Sequence, residues 1–362
     1  MARAATGLAI VNLPTAFQRL QRGATLRGTV ELPCVPALVD AYLEWTLQLF
    51  ALLGSPFPEH RRPELRDRLE AKLAEGFAAS QHARLVLTYQ PAAPPQPGLV
   101  LDVAVRLDSL KSFYEQTVQE RFGAVLGEME TSVFGRRPNA KVMDLAAQLP
   151  PGARILDVGA GAGRNTLPLA RQGFRVDALE LAEIFSRQLQ VLGDREGLPV
   201  RVWQGDILDP GQRLPHQTYD LVLFAEVFPH FRTPHQIRLA ALKAYDALCP
   251  GGFLVFNTFV SRTGWEPTPS DRQVAAVSQA FFTSEGELMA AMQNLPFGLW
   301  SREPVFDYER DRLPAEAWPP SPWFADWTTG RFVFPEVEPP PIALEWFVYR
   351  REARPGSSGG AS

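Results

Sequence analysis

The chain has 362 residues, 46 % of them hydrophobic and 21 % charged, with a formal net charge of −4. At roughly 150 residues per domain this length accommodates two or three globular units, each able to bury a core. Two cysteines, Cys34 and Cys249, exclude a disulfide framework and a four-thiolate zinc site, five scattered histidines suggest no metal, and the absence of a basic stripe argues against nucleic acid.

Residues Met1 to Pro14 carry no sustained apolar run of the secretory kind, and Trp45 to Leu53 is far short of the ~18 apolar residues a membrane span needs. Cytoplasmic placement without membrane insertion is the expectation. The 33 prolines are an excess, and they concentrate in particular loops. Leu38, Ala41, Tyr42, Trp45, Leu49 and Leu52 fall at helical spacing, as do Leu65, Leu69, Leu73 and Phe77 behind Pro63. Arg84 to Tyr89 and Leu99 to Arg106 alternate as strands around the breaker QPAAPPQPG. A further helix is expected from Ser109 to about Leu126. Residues 1–134 therefore read as a smaller α+β accessory or substrate-recognition domain without a catalytic motif.

From Pro138 short apolar runs alternate with helical segments, the pattern of a parallel sheet covered on both faces. Ile155 to Val158, Arg175 to Glu180, Val200 to Gln204, Asp220 to Phe224 and Phe253 to Phe256 are the expected first five strands. Helices are expected from Arg164, Ala182 and Pro234. Thr283 to Leu295 reads as a helix, and Leu299 to Tyr308 and Ile342 to Arg350 as two last strands. The predicted fold is α/β, a doubly wound, seven-stranded, mostly parallel sheet over residues 135–351, followed by a flexible tail, 352–362.

The most informative stretch is ILDVGAGAGRN, Ile155 to Asn165, in which a buried strand runs into Gly159, Gly161 and Gly163 and then into a helix. Glycines permit a tight turn and close approach of a ligand to backbone N–H groups. Glu180 closes the next strand, 21 residues after Gly159, where a carboxylate can accept both hydroxyls of a ribose. The dinucleotide fingerprint G-x-G-x-x-G is broken, because its third glycine position is Arg164. Asp157, inside the strand, would repel a pyrophosphate but could face an ammonium. An adenosine ligand bearing an amino acid fits better than NAD.

On DVGAGAG, on Glu180 within VDALEL, on QGDI (Gln204 to Ile207), on YDLVLFAEVFPHF (Tyr219 to Phe231) and on CPGG (Cys249 to Gly252), the sequence resembles the class I S-adenosylmethionine-dependent methyltransferases. GRNTLPLARQGFRVDALE is similar to the tellurite-resistance and ubiquinone-biosynthesis types within them. The resemblance implies a Rossmann-like fold and S-adenosyl-L-methionine as cofactor. It places Asp157, Gly159, Gly161, Gly163, Asn165, Glu180, Asp206, Ile207 and Glu226 at the cofactor, with Asp206 accepting from the adenine amino group. Glu226 and His230 are the candidate catalytic residues, since a hydroxyl acceptor needs a base beyond the strand ends. His235 is expected to be solvated. Asn257 is a candidate for binding the acceptor. Ala225, Glu226, Val227 and Phe228 stand where DNA and amide methyltransferases carry Asn-Pro-Pro-Tyr or Asp-Pro-Pro-Tyr, which disfavours that chemistry.

Six of the eight tryptophans follow residue 260, and the Pro- and Trp-rich segment 310–341 lies between the last two strands. It is expected either to be a lid whose Trp323 and Trp327 wall the acceptor pocket or to pack on a small core of its own. A second insertion, Val260 to Ala280, brings Arg262 and Trp265. The acceptor is expected to be an O or N atom of a small organic molecule. A protein side chain, such as an asparagine of a phycobiliprotein recognised by the N-terminal domain, and a non-catalytic cofactor-binding regulator are the alternatives.

Overall fold

A computed structural model describes residues 26–112 and 137–352. Their chain path forms two compact units, one of residues 26–112, 266–278 and 332–336, the other of 137–265, 279–331 and 337–352. Most of the expected helix after Ser109, and the expected tail beyond residue 352, lie outside the described residues.

In the first unit the two helices expected from the Leu38 and Leu65 stripes and the hairpin are present. Strand β1 (Gly28–Pro33), helices α1 (Val39–Leu52) and α2 (Arg62–Ala79), and strands β2 (Arg84–Pro91) and β3 (Leu99–Arg106) build an antiparallel sheet of order β1-β2-β3. The helical stripes and the middle strand supply its core: Tyr42, Leu49, Leu69, Leu73, Leu85 and Leu87 are all buried. Strand β1 escaped the sequence reading because it is an edge strand that buries only its last two residues, Leu32 and Pro33. Gly76 lets α2 approach: a Cβ there would meet Cys34 Sγ at 2.4 Å. The later helix Pro269–Val277, α7 in chain order, joins this unit, where Gln273 Oε1 accepts the Ala37 N–H at 2.9 Å.

The second unit carries α3 (Ala140–Ala146), β4 (Arg154–Val158), α4 (Thr166–Arg171), β5 (Arg175–Glu180), α5 (Glu183–Glu196), β6 (Val200–Gln204), β7 (Tyr219–Phe224), α6 (Pro234–Ala247) and β8 (Leu248–Ser261). It continues through β9 (Phe282–Thr283), α8 (Glu285–Met292), β10 (Phe297–Pro304), α9 (Val305–Arg312), α10 (Phe324–Thr328) and β11 (Ile342–Arg351). The strand order is β10-β11-β8-β7-β4-β5-β6. Strands β6, β5, β4, β7 and β8 run parallel, and β11 and β10 close the edge as an antiparallel hairpin. The short β9 adds an eighth strand beside β8. The sheet is the expected doubly wound α/β sheet, and Ile155, Leu156, Leu221, Val222 and Leu223 at its centre are completely buried.

Two expectations need correction. The expected strand Leu299 to Tyr308 ends at Pro304, which has no N–H to continue a ladder, and Val305–Arg312 turns into helix α9. The expected helix Thr283 to Leu295 begins only at Glu285, because the Ser284 hydroxyl accepts the Glu287 N–H and caps it, leaving Phe282–Thr283 free to pair as β9.

The tryptophans of the Pro- and Trp-rich segment pack on one another and on Phe306 and Phe259 outside it. Trp318 meets Phe306 and Phe324 edge-on at 5.3 and 5.5 Å, and Trp327 meets Phe259 of β8 at 5.3 Å and Trp323 at 5.6 Å. Gly330 then turns the chain with φ +84°, where a Cβ would lie 2.5 Å from the Ile342 carbonyl oxygen. Gly330→Ala combines a left-handed backbone with a backbone collision, so it is expected to cost about 2 kcal/mol or more. A thermal midpoint equal to the wild type would contradict this packing.

Candidate active site

Doubly wound sheets bind ligands outside the carboxyl ends of their strands, where the strand order reverses. Here the chain runs outward through β4, β5 and β6 and then returns to the other side of β4 as β7. The reversal therefore lies between the loops that follow β4 and β7.

The loop after β4 holds three glycines with φ of +72°, +55° and +93° at Gly159, Gly161 and Gly163. Close packing reinforces the need for glycine at two of them. A Cβ on Gly159 would meet Val227 Cγ2 at 2.5 Å, and one on Gly163 would meet Leu189 Cδ1 at 2.5 Å. Helix α4 starts at Thr166, two residues later than expected, and lasts six residues. So short a helix has a small dipole, which leaves polar recognition to the loop itself.

Two acids at this edge are buried. Asp157, 2 % exposed, accepts the Thr166 hydroxyl at 2.6 Å. Burial pushes its carboxyl up to about 6, against the opposing pull of the Thr166 hydroxyl and the Arg164 guanidinium and with the repulsion of Glu180. Glu180, at the end of β5, accepts the Gly161 N–H on Oε2 at 2.7 Å and the Ala182 N–H on Oε1 at 2.8 Å. Burial raises its carboxyl also, and these backbone hydrogen bonds oppose the rise. Each oxygen keeps acceptor capacity for a hydroxyl. Beyond β6, Asp206 is exposed and spends Oδ1 on the Leu208 N–H at 2.8 Å, while Ile207 is buried.

On the β7 side, Glu226 adopts φ +62°, a left-handed conformation unusual for a residue with a side chain. Its N–H donates to Asn257 Oδ1 at 2.6 Å, and its carboxylate takes Arg164 at 2.7 Å. Asn257 is fully buried on β8, and its Nδ2 has no hydrogen-bond partner among the described residues. His230 ends the short turn Phe228–His230 and is half-buried, whereas His235 is exposed. Asn165 has both ends of its amide committed to Asn139, accepting its N–H at 2.9 Å and donating to its Oδ1 at 3.0 Å.

The structure thus brings Asp157, the three glycines, Glu180, Glu226 and Asn257 to one edge of adjoining strands. Trp323 and Trp327 form a ladder that ends on Phe259, two residues along β8 from Asn257. Sequence reasoning missed three participants. Arg164 interrupts the dinucleotide pattern, and a cation directly after the last glycine is the visible signal of its role. Asn139 and Glu309 gave none. Glu309 is 1 % exposed and accepts the Ala140 and Lys141 N–H groups at 2.7 and 3.3 Å and Trp346 Nε1–H at 3.2 Å. Among the described residues no group of three or more His, Cys, Asp or Glu side chains is arranged to hold a metal ion.

The buried state of Asp157 has a pH signature. A carboxyl raised to about 6 contributes stability that is complete below its unfolded value, near 4, and is lost as pH rises through about 6. Asp157→Asn, which can still accept the Thr166 hydroxyl, should therefore gain on the wild type between pH 4 and pH 7, by on the order of 2–3 kcal/mol. Parallel unfolding profiles of the two proteins across that range would contradict the assignment.

Residues 155–252 match the family model described as a methyltransferase domain. The ubiquinone biosynthesis O-methyltransferase of Maricaulis maris is 30 % identical over 112 residues, 31 % of this chain and 42 % of that protein. Nodulation protein S of Rhizobium tropici is 26 % identical over 43 % of this chain and 65 % of its own length. This chain accordingly spans less than two thirds of the curated relatives it matches. The phosphoethanolamine N-methyltransferase 2 of Haemonchus contortus shares the fold with a TM-score of 0.50 at 14 % identity, over 74 % of this chain and 70 % of that one. The matching family model, together with the glycine loop after β4 and the acid closing β5, identifies residues 155–252 of the second unit as a methyltransferase domain.

Proposed function

We propose that the chain transfers a methyl group from S-adenosyl-L-methionine to an oxygen or nitrogen of a small organic acceptor. The observation that carries this reading is the Glu180 carboxylate, buried at the end of β5 and held by loop amides with acceptor capacity to spare. That arrangement suits the two hydroxyls of a ribose. Asp206 has an oxygen left for the adenine amino group, with Ile207 beside it. Asp157 is a buried anion that fits the ammonium of the amino-acid moiety, and a cation there would relieve its burial. The positive-φ turns at Gly159, Gly161 and Gly163 shape the loop backbone against which the ligand would lie.

When bound, S-adenosyl-L-methionine supplies a methyl on a sulfonium, already activated for displacement. What remains for the protein is orientation and exclusion of water, and orientation alone can contribute about 7–11 kcal/mol. A hydroxyl acceptor also needs its proton taken. His230 is the better candidate for that task, because the Glu226 carboxylate is engaged by Arg164 at 2.7 Å. Asn257 carries an unused buried donor, Nδ2, on the strand next to β7, which supports a role in holding the acceptor. The small-molecule reading draws on the matched relatives named as ubiquinone biosynthesis O-methyltransferases.

S-adenosylhomocysteine at 100 times its dissociation constant should stabilise the protein by about 2.7 kcal/mol, while NAD should not. Glu180→Ala should keep the fold and lose that stabilisation. A response to NAD alone would overturn the reading. Labelled methyl from the cofactor should enter the small-molecule fraction of an extract; label confined to protein would move the acceptor to a protein side chain.

A further inference from the structure

Arg164 and Glu226 come from different loops on either side of the strand reversal, and their side chains are only 9 % and 10 % exposed. Burying an ion pair is costly for stability, and a left-handed backbone at a glutamate adds to the cost. Both features persist here at the same residue. The next residue, Val227, lies so close to Gly159 that a Cβ there would meet it at 2.5 Å. The loop after β7 is therefore fastened to the glycine loop at two points, one ionic and one by close packing.

Each partner is held from behind. The Glu226 N–H is fixed on Asn257 Oδ1 at 2.6 Å. Asn257 pairs with Trp346 across the β8–β11 ladder, and the Trp346 indole donates to Glu309. Glu309 in turn accepts the first N–H groups of α3, and Asn139 just before them is bonded twice to Asn165, the neighbour of Arg164. The contacts close into a ring that joins the two loops.

We propose that the Arg164–Glu226 pair is a latch that couples the cofactor loop to the loop carrying His230. Both are positioning residues: they set the glycine loop in its ligand-binding shape and bring the acceptor-side loop into register with it. The proposal rests on the reading of the glycine loop as the S-adenosylmethionine site. It assigns Glu226 to holding Arg164, in place of proton transfer.

The test separates binding from stability. Removing one partner strands a buried charge, so Arg164→Met and Glu226→Gln should each lower the melting temperature, whereas the double variant should recover much of that loss. S-adenosylhomocysteine affinity, measured by calorimetry, should fall about tenfold or more in each single variant and stay low in the double variant. A folded double variant with wild-type affinity would show that the pair serves stability alone and would overturn the latch. Hydrogen exchange on the intact protein gives a second readout that needs no variant to fold well. In the wild type, S-adenosylhomocysteine should slow exchange of residues 226–231 together with 159–165. In Glu226→Asp, whose shortened side chain loosens the pair, protection should remain at 159–165 and vanish from 226–231. Equal protection of 226–231 in both proteins would also overturn it. Failure of the wild type to bind S-adenosylhomocysteine at all would instead refute the cofactor assignment.

Discussion

Carboxylates buried at the ends of two adjacent parallel strands are the constraint on which this site depends. An ionised carboxylate away from water is tolerated only if something hydrogen-bonds to it. Glu180 meets that demand with backbone N–H groups of its own turn and of the glycine loop, and Asp157 with the Thr166 hydroxyl. The loop that wraps β4 is thereby forced to present its amides inward. Only glycines accommodate the resulting positive φ angles together with the close approach of Val227 and Leu189. The acids that give the loop its shape are the same ones whose charge suits the ligand.

Around that centre the site is assembled from parts far apart in the chain. Strand reversal sets the β7 loop beside the β4 loop, and Arg164 joins them. The antiparallel hairpin at the sheet edge reaches inward through Trp346, whose indole meets the same Glu309 that caps α3. Helix α9, which supplies Glu309, exists because Pro304 stops strand β10. A break in the edge of the sheet thus places the buried Glu309 carboxyl beside the start of α3, next to the Asn139–Asn165 pair. The aromatic segment after α9 likewise anchors on Phe259 of β8, so its packing and the position of Asn257 depend on one strand.

The parallel core was legible because its strands are short apolar runs and the glycine loop has few physical alternatives. The strand-to-glycine pattern was enough to place Asp157, Glu180 and the glycines at the ends of β4 and β5. Side-chain commitments could not. Asn165 looked available to a ligand but spends its amide on Asn139, and Glu226 looked like a base but holds a guanidinium. Such pairings join residues 26 and 62 positions apart, respectively, and no local pattern marks them. Edge features failed for a related reason: β1 and the start of α9 are set by pairing and by one proline, and hydrophobic period says little about either.

The most direct test of the account is a structure of the protein with S-adenosylhomocysteine bound. The ribose hydroxyls are expected within about 2.5–3.2 Å of the Glu180 carboxylate oxygens, with the Gly161 and Ala182 N–H bonds to Glu180 retained. Ribose held elsewhere, with Glu180 still buried beneath an empty loop, would contradict it.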